Sequence, residues 1–238
     1  KFFYSNSPCF NSNTIIVIGL CDKNRIYIDS ELALGSNLII VEQNKENLYI
    51  NEYMKTSNVS VLIANPKEKE TLLKLNLDAK KYIVVSTGKD VDNIEIVSQI
   101  LTINKNVNIY VQIENRSLRY FHKENGLLPG SNIKLYSYYE DASRELFKKY
   151  DTDGKNYEIL SSSEDYSIVI LGNTNLSYEV IFQACIMGQL PNENKLTIYC
   201  LDKNPKKFKQ KVELNYTEIH NVPNIELKYR KFDIDSKL

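Results

Sequence analysis

The residues with the clearest chemical use are a glycine and an acid set 23 positions apart. Gly19 ends the apolar run Thr14–Ile18, and Glu42 ends a second apolar run, Leu38–Val41. A glycine turn between a strand and a helix lets backbone N–H groups meet a phosphate. An acid roughly 20 residues further on accepts hydrogen bonds from ribose hydroxyls. The run from Gly19 reads Gly-Leu-Cys-Asp-Lys-Asn, so Cys21 and Asn24 stand where a dinucleotide loop has its second and third glycines. Cys21 places a Cβ where the backbone would approach a pyrophosphate, Asp22 adds negative charge there, and Asn24 is expected to loosen helix-to-strand packing. Gly19, Leu20, Cys21, Asp22 and Glu42 are the candidate contacts for NAD or an adenine nucleotide bound with low affinity. The alternatives are a structural turn at Gly19 and a water-facing carboxylate at Glu42.

The same pair recurs later. Gly172 ends Tyr166–Leu171 and Asp202 ends Leu196–Leu201, with Thr174 and Ser177 in the places of the missing glycines. This is an internal repeat of a strand–helix–strand unit, and it makes Gly172 and Asp202 a second candidate site. Ser86 and Thr87, after the strand-like run Tyr82–Ser86, form a further loop able to face a ligand. No Walker loop, nucleophile elbow or histidine-centred pair is present, so the expectation is a protein without a catalytic centre. Asp151–Asn156 is similar to part of a calcium loop, but its glycine comes fourth rather than sixth and it reads as a linker turn. The basic run Lys203–Lys211 reads as a solvated helix face, with an anionic lipid surface or an acidic partner as the alternative.

The elements that must hold these residues alternate. Thr14–Ile18, Leu38–Val41, Asn58–Ala64, Tyr82–Ser86, Val107–Ile113 and Ile133–Tyr136 read as strands. Between them Asn24–Leu34, Lys45–Lys55, Lys67–Leu75, Val91–Ile103 and Ser117–Lys123 read as helices. Leu48 and Met54 are expected to point inward, and Gly35 is expected to stop the first helix. Asp141–Tyr150 reads as an amphipathic helix. The expected fold is α/β: a Rossmann-like doubly wound parallel sheet, followed by a second, partial Rossmann-like βαβ unit. The expected divisions are a linker over 1–13, a first domain over 14–150, a linker over 151–163 and a truncated second unit over 164–238.

The 238 residues carry 30 basic and 30 acidic side chains. A zero net charge argues against a nucleic-acid binder that relies on a positive field. The four cysteines show no CxxC spacing and read as free thiols of a reducing compartment, and two histidines do not make a histidine-rich zinc site. No run approaches the ~18–20 apolar residues that span a bilayer.

Residues 14–150 resemble the regulator-of-potassium-conductance (RCK) family, the nucleotide-binding domains of potassium channels and of Trk-type uptake systems. The resemblance rests on Ala64-Asn65, where the family has Gly-Asp, and on Leu72 and Leu75-Asn76-Leu77, where it has a leucine and an Ala-Gly-Ile-like turn. It rests also on Tyr82–Ser86 followed by Asp90-Val91-Asp92-Asn93, and on the helix Asp141–Tyr150. Cys21, Asn24 and Asn65 replace family Gly, Gly and Asp. The resemblance implies that Asn65, Ser86 and Thr87 line a nucleotide site. It implies a tandem regulatory module at the cytoplasmic face of the membrane. It implies homo-oligomeric assembly, and a membrane pore or transporter subunit as partner. An NAD-dependent oxidoreductase fragment and a ligand-free assembly scaffold are the rival readings.

Overall fold

A computed structural model describes residues 3–4, 14–79, 82–126, 132–149, 166–188 and 195–233. The chain divides into two units, residues 1–138 and 139–238.

In the first unit a short strand β1 (Phe3–Tyr4) is followed by β2 (Thr14–Ile18), α1 (Asp22–Ala33), β3 (Asn37–Glu42), α2 (Ile50–Tyr53), β4 (Val59–Ile63) and α3 (Lys69–Leu73). Then come β5 (Tyr82–Val85), α4 (Asp90–Ile103), β6 (Ile109–Gln112), α5 (Arg116–Asn125) and β7 (Ile133–Tyr136). The sheet order is β1-β4-β3-β2-β5-β6-β7. All neighbours run parallel except β1, which pairs antiparallel with β4. This is the Rossmann-like, doubly wound parallel sheet. The β-branched runs are buried on both faces, as a central parallel strand requires. Ile16, Ile18, Ile39 and Val41 enter one core with Ile96, Val97, Ile100 and Leu101 of α4. Ile15, Val17, Leu38 and Ile40 enter the other with Ile28 of α1. After α1, Gly35 takes φ +78, and the N–H groups of Gly35 and Ser36 bond back to Leu32 and Glu31, the usual way a glycine satisfies a helix end.

Two local expectations are corrected. The helix expected over 45–55 shrinks to Ile50–Tyr53, and Leu48 is 86% exposed rather than inward. The side-chain oxygens of Asn44 and Asn47 accept from the N–H groups of Glu46 and Tyr49, and such Asx bonds compete with helix formation. On α1 the inward residues are Asn24 and Ile28, while Ile26 is exposed.

The second unit takes up most of α6 (Tyr138–Lys149), followed by β8 (Tyr166–Leu171), α7 (Asn175–Met187), β9 (Leu196–Asp202), α8 (Pro205–Asn215) and β10 (Ile225–Lys231). Its sheet is β10-β9-β8, all parallel. Ile170, Ile198 and Cys200 pack with Ile181, Ala184 and Cys185 of α7 and with Phe208 and Val212 of α8, and Phe147 of α6 joins this core. The Cys185 and Cys200 thiols are free, and burial pushes both up to about 12. The alternate residues of β8, Val169 and Leu171, are exposed. The expected linker at 151–163 and Cys9 lie outside the described residues.

Candidate functional site

The first unit winds outward from β2 in two directions, through β3 and β4 on one side and through β5, β6 and β7 on the other. The carboxyl ends of β2 and β5 therefore flank a switch point, the place where open α/β sheets take their ligands. Gly19, Leu20, Cys21 and Asp22 lie at the end of β2, Ser86 and Thr87 at the end of β5, and Glu42 at the end of β3. The fold gathers these seven. Asn65, after β4, turns its side-chain oxygen to the N–H of Lys67 in its own loop, at 3.0 Å.

Gly19 has φ +94, and a Cβ there would collide with the backbone of Ser86 and Thr87, 2.8 Å from Thr87 Cα. Only glycine lets the turn lie this close to β5. Asn24 then does what the absent glycine does not. It is 4% exposed; its Nδ2 donates to the carbonyls of Gly19 (2.7 Å) and Ser86 (3.3 Å), and its Oδ1 accepts from the N–H of Cys21 (2.9 Å). The expectation that Asn24 loosens the packing is thus reversed: its amide ties the turn to both neighbouring strands. Asp22 is held by the Tyr49 hydroxyl, which pushes the Tyr49 phenol above its ordinary value.

Glu42 is occupied by the protein itself. Its Oε2 accepts from the N–H of Leu20 at 2.9 Å and from Asn47 Nδ2 at 3.2 Å, and its Oε1 accepts from the N–H of Asn44 at 2.7 Å. Ser86 is buried, with its hydroxyl donating to Gln112. Thr87 donates through both its N–H and its hydroxyl to Asn93 Oδ1 at 2.8 and 2.7 Å, and Asn93 Nδ2 donates to the Gln112 carbonyl at 2.8 Å. Gln112 Nε2 and the Ser137 hydroxyl both donate to Glu114, and Lys23 Nζ stands 3.4 Å from it. Asn47, Asn93, Gln112 and Glu114 are residues that sequence reasoning missed. Only Asn93 left a trace, in the Asp-Val-Asp-Asn start of α4.

The second unit repeats the same bonds. The N–H of Gly172 donates to the carbonyl of Leu201 on the adjacent strand, as that of Gly19 donates to the carbonyl of Val41. Asp202 accepts from the N–H of Asn173 at 3.1 Å and of Asn204 at 2.7 Å, matching Glu42 with Leu20 and Asn44. The Ser177 hydroxyl donates to the Gly172 carbonyl at 2.6 Å, matching Asn24 with Gly19. Gly172 also has positive φ, but a Cβ there would meet nothing within 4 Å.

A switch-point crevice with a left-handed glycine turn, a helix N-terminus and a strand-end acid defines a Rossmann-like domain of the nucleotide-binding type. Residues 15–127 match the TrkA-N domain family, and this part of the chain is similar to that family. No curated protein matches the chain in sequence. Among solved structures, GsuK bound to ADP is 16% identical, with 83% of this chain and 45% of that one covered at a TM-score of 0.59. The GsuK channel bound to NAD is 12% identical, with 93% and 58% covered at 0.57. The GsuK RCK domain is 11% identical, with 90% and 69% covered at 0.55. The chain thus spans about half the length of the two ligand-bound GsuK chains, and at these identities the likeness is one of fold.

Proposed function

We propose that this chain is a ligand-sensing regulatory module of a potassium channel or cation transporter, acting at the cytoplasmic face of the membrane as a homo-oligomer. Its ligand is an adenine nucleotide, alone or as part of NAD, bound with low affinity at the switch point of the first unit. The observation that carries this reading is the crevice between β2 and β5, with Glu42 beside the Gly19 turn, inside a domain similar to the TrkA-N family. The module acts by population shift: a nucleotide that favours one arrangement of an assembly makes that arrangement dominant, and the attached pore follows. The solved GsuK structures with ADP and with NAD are in keeping with that ligand class. Among the described residues no helix is long and apolar enough to cross a membrane, so in this reading the pore belongs to another segment or subunit.

A second reading is a scaffold that has kept the fold for assembly alone. The internal occupation of Glu42, Ser86 and Thr87 favours it. Thermal melting separates the two. A ligand at ~5 times Kd stabilises by about 1 kcal/mol, which for a chain of this size raises the midpoint by roughly 2–4 °C. The expected outcome is a rise of that size with several millimolar AMP, and a smaller one with ADP or NAD because Cys21 crowds the pyrophosphate that both carry. No rise with any of the three leaves the scaffold.

A further inference from the structure

The two units carry the same carboxylate in the same place, so each serves as a control for the other. An ionised carboxylate offers about four acceptor positions, and a ribose diol needs two of them. Among the described residues Asp202 spends two, on the N–H groups of Asn173 and Asn204. Glu42 spends three on described residues: two on the equivalent N–H groups of Leu20 and Asn44, and a third on Asn47 Nδ2. One position is left, which is too few for a diol.

Asn47 is firmly placed. Its Nδ2 also donates to the Leu20 carbonyl at 2.6 Å, and its Oδ1 accepts from the N–H of Tyr49 at 3.1 Å. The segment that carries it is fastened to α1 further along. Tyr49 bonds Asp22, Arg25 stacks 4.1 Å above the Tyr49 ring and pairs with Glu52 at 3.2 Å, and the Tyr53 hydroxyl donates to Asp29 at 2.8 Å. Among the described residues the second unit has no such segment after its acid. There β9 ends at Asp202, and Asn204 already caps α8, which starts at Pro205. In the first unit, residues 43–49 intervene between β3 and α2.

We propose that Asn47 is a built-in occupant of the ribose position in the first unit, its side-chain amide standing where a ribose hydroxyl would donate to Glu42. A nucleotide then seats only when Asn47 swings away, so the strap over residues 44–53 sets the affinity of the crevice. This rests on the nucleotide reading of the same crevice. It goes beyond that reading by naming the group that competes with the ligand.

Calorimetric titration of the 238-residue chain with ADP tests the proposal. Asn47→Ala removes the occupant. Asn47→Ser keeps an oxygen for the Tyr49 N–H but is too short to reach Glu42, and serves if the alanine variant folds poorly. Both are expected to bind ADP about tenfold tighter than the wild type, the equivalent of one hydrogen bond to a charged group. The gain is expected to vanish with 2′,3′-dideoxy-ADP and in the double variant Asn47→Ala/Glu42→Gln. Variants that fold and bind ADP no better than the wild type overturn the proposal while leaving the nucleotide reading in place. An equal gain with the dideoxy ligand overturns it too, because Asn47 would then not stand at the ribose. If neither the wild type nor the variants bind ADP, both readings fall together.

Discussion

Asn24 shows how a side chain can serve where a glycine is expected. A glycine at this point lets helix and strand approach; an asparagine approaches by bonding to both, through Gly19, Cys21 and Ser86. Ser177 uses its hydroxyl for the same carbonyl in the second unit. The two glycines that begin these turns differ in a testable way. Both have positive φ, so alanine at either costs about 1–2 kcal/mol in backbone strain. At Gly19 the new Cβ also strikes the backbone of β5's end, whereas at Gly172 it meets open space. Gly19→Ala is therefore expected to destabilise its unit by clearly more than Gly172→Ala does, about 3 kcal/mol or more against about 1–2. Urea unfolding followed by a probe in each unit measures both, and equal losses would show that β5 yields to the added carbon.

At the scale of elements, α4 is the best specified helix of the first unit. Asn93, Ile96, Val97, Ile100 and Leu101 form one buried stripe, and an ion pair fastens its first turn. Lys67, in the loop before α3, reaches Asp92 at 2.6 Å and Glu95 at 2.7 Å. The hydrogen bond from Lys67 holds the Asp92 carboxyl below its ordinary 3.8, and the bonds it donates to Asp92 and Glu95 raise Lys67 above 10.5. For an acid with a lowered folded-state value, the stabilisation is present above the unfolded value and is lost as pH falls through the folded one. For the raised lysine it is present below 10.5 and lost as pH climbs through the higher value. The clamp is thus closed throughout the neutral range. Asp92→Asn is expected to melt lower than the wild type at pH 7. The gap should narrow as the pH is taken below about 4. A gap that stays constant down to pH 2 would mean that Asp92 acts through helix capping rather than through its charge.

For the molecule as a whole, the repeat is the organising fact. The second unit reproduces the β2–α1–β3 portion of the first in its glycine turn and its strand-end acid, yet leaves β8 with Val169 and Leu171 exposed where β2 is buried on both sides. The chain also carries 17 tyrosines, several of them exposed, such as Tyr120 at 62%, and tyrosine supplies contact area at low entropic cost. Self-association is the expected outcome. Light scattering at ~100 μM, where mass action favours association, should give at least twice the 27.6 kDa chain mass. A monomer mass at that concentration would remove the assembly part of the functional reading.

The sequence by itself determined the strands, their order of appearance and the two βαβ repeats. Short apolar runs rich in β-branched residues and bounded by Gly or polar turns fit strands of a buried parallel sheet. A glycine and an acid at fixed spacing also mark the ends of adjacent strands without any knowledge of the rest. Helix boundaries in polar stretches were not legible in this way: the run 44–49 has helix-like composition, but its asparagines cap their own backbone. Only the tertiary structure decided what the site is made of. Asn24 bonds to Ser86, 62 positions away, Lys23 pairs with Glu114, 91 positions away, and Asn47 reaches back 27 positions to Leu20. Such partners become neighbours only when the sheet winds both ways from β2. A short polar side chain has many candidate partners along a chain, and the topology selects among them.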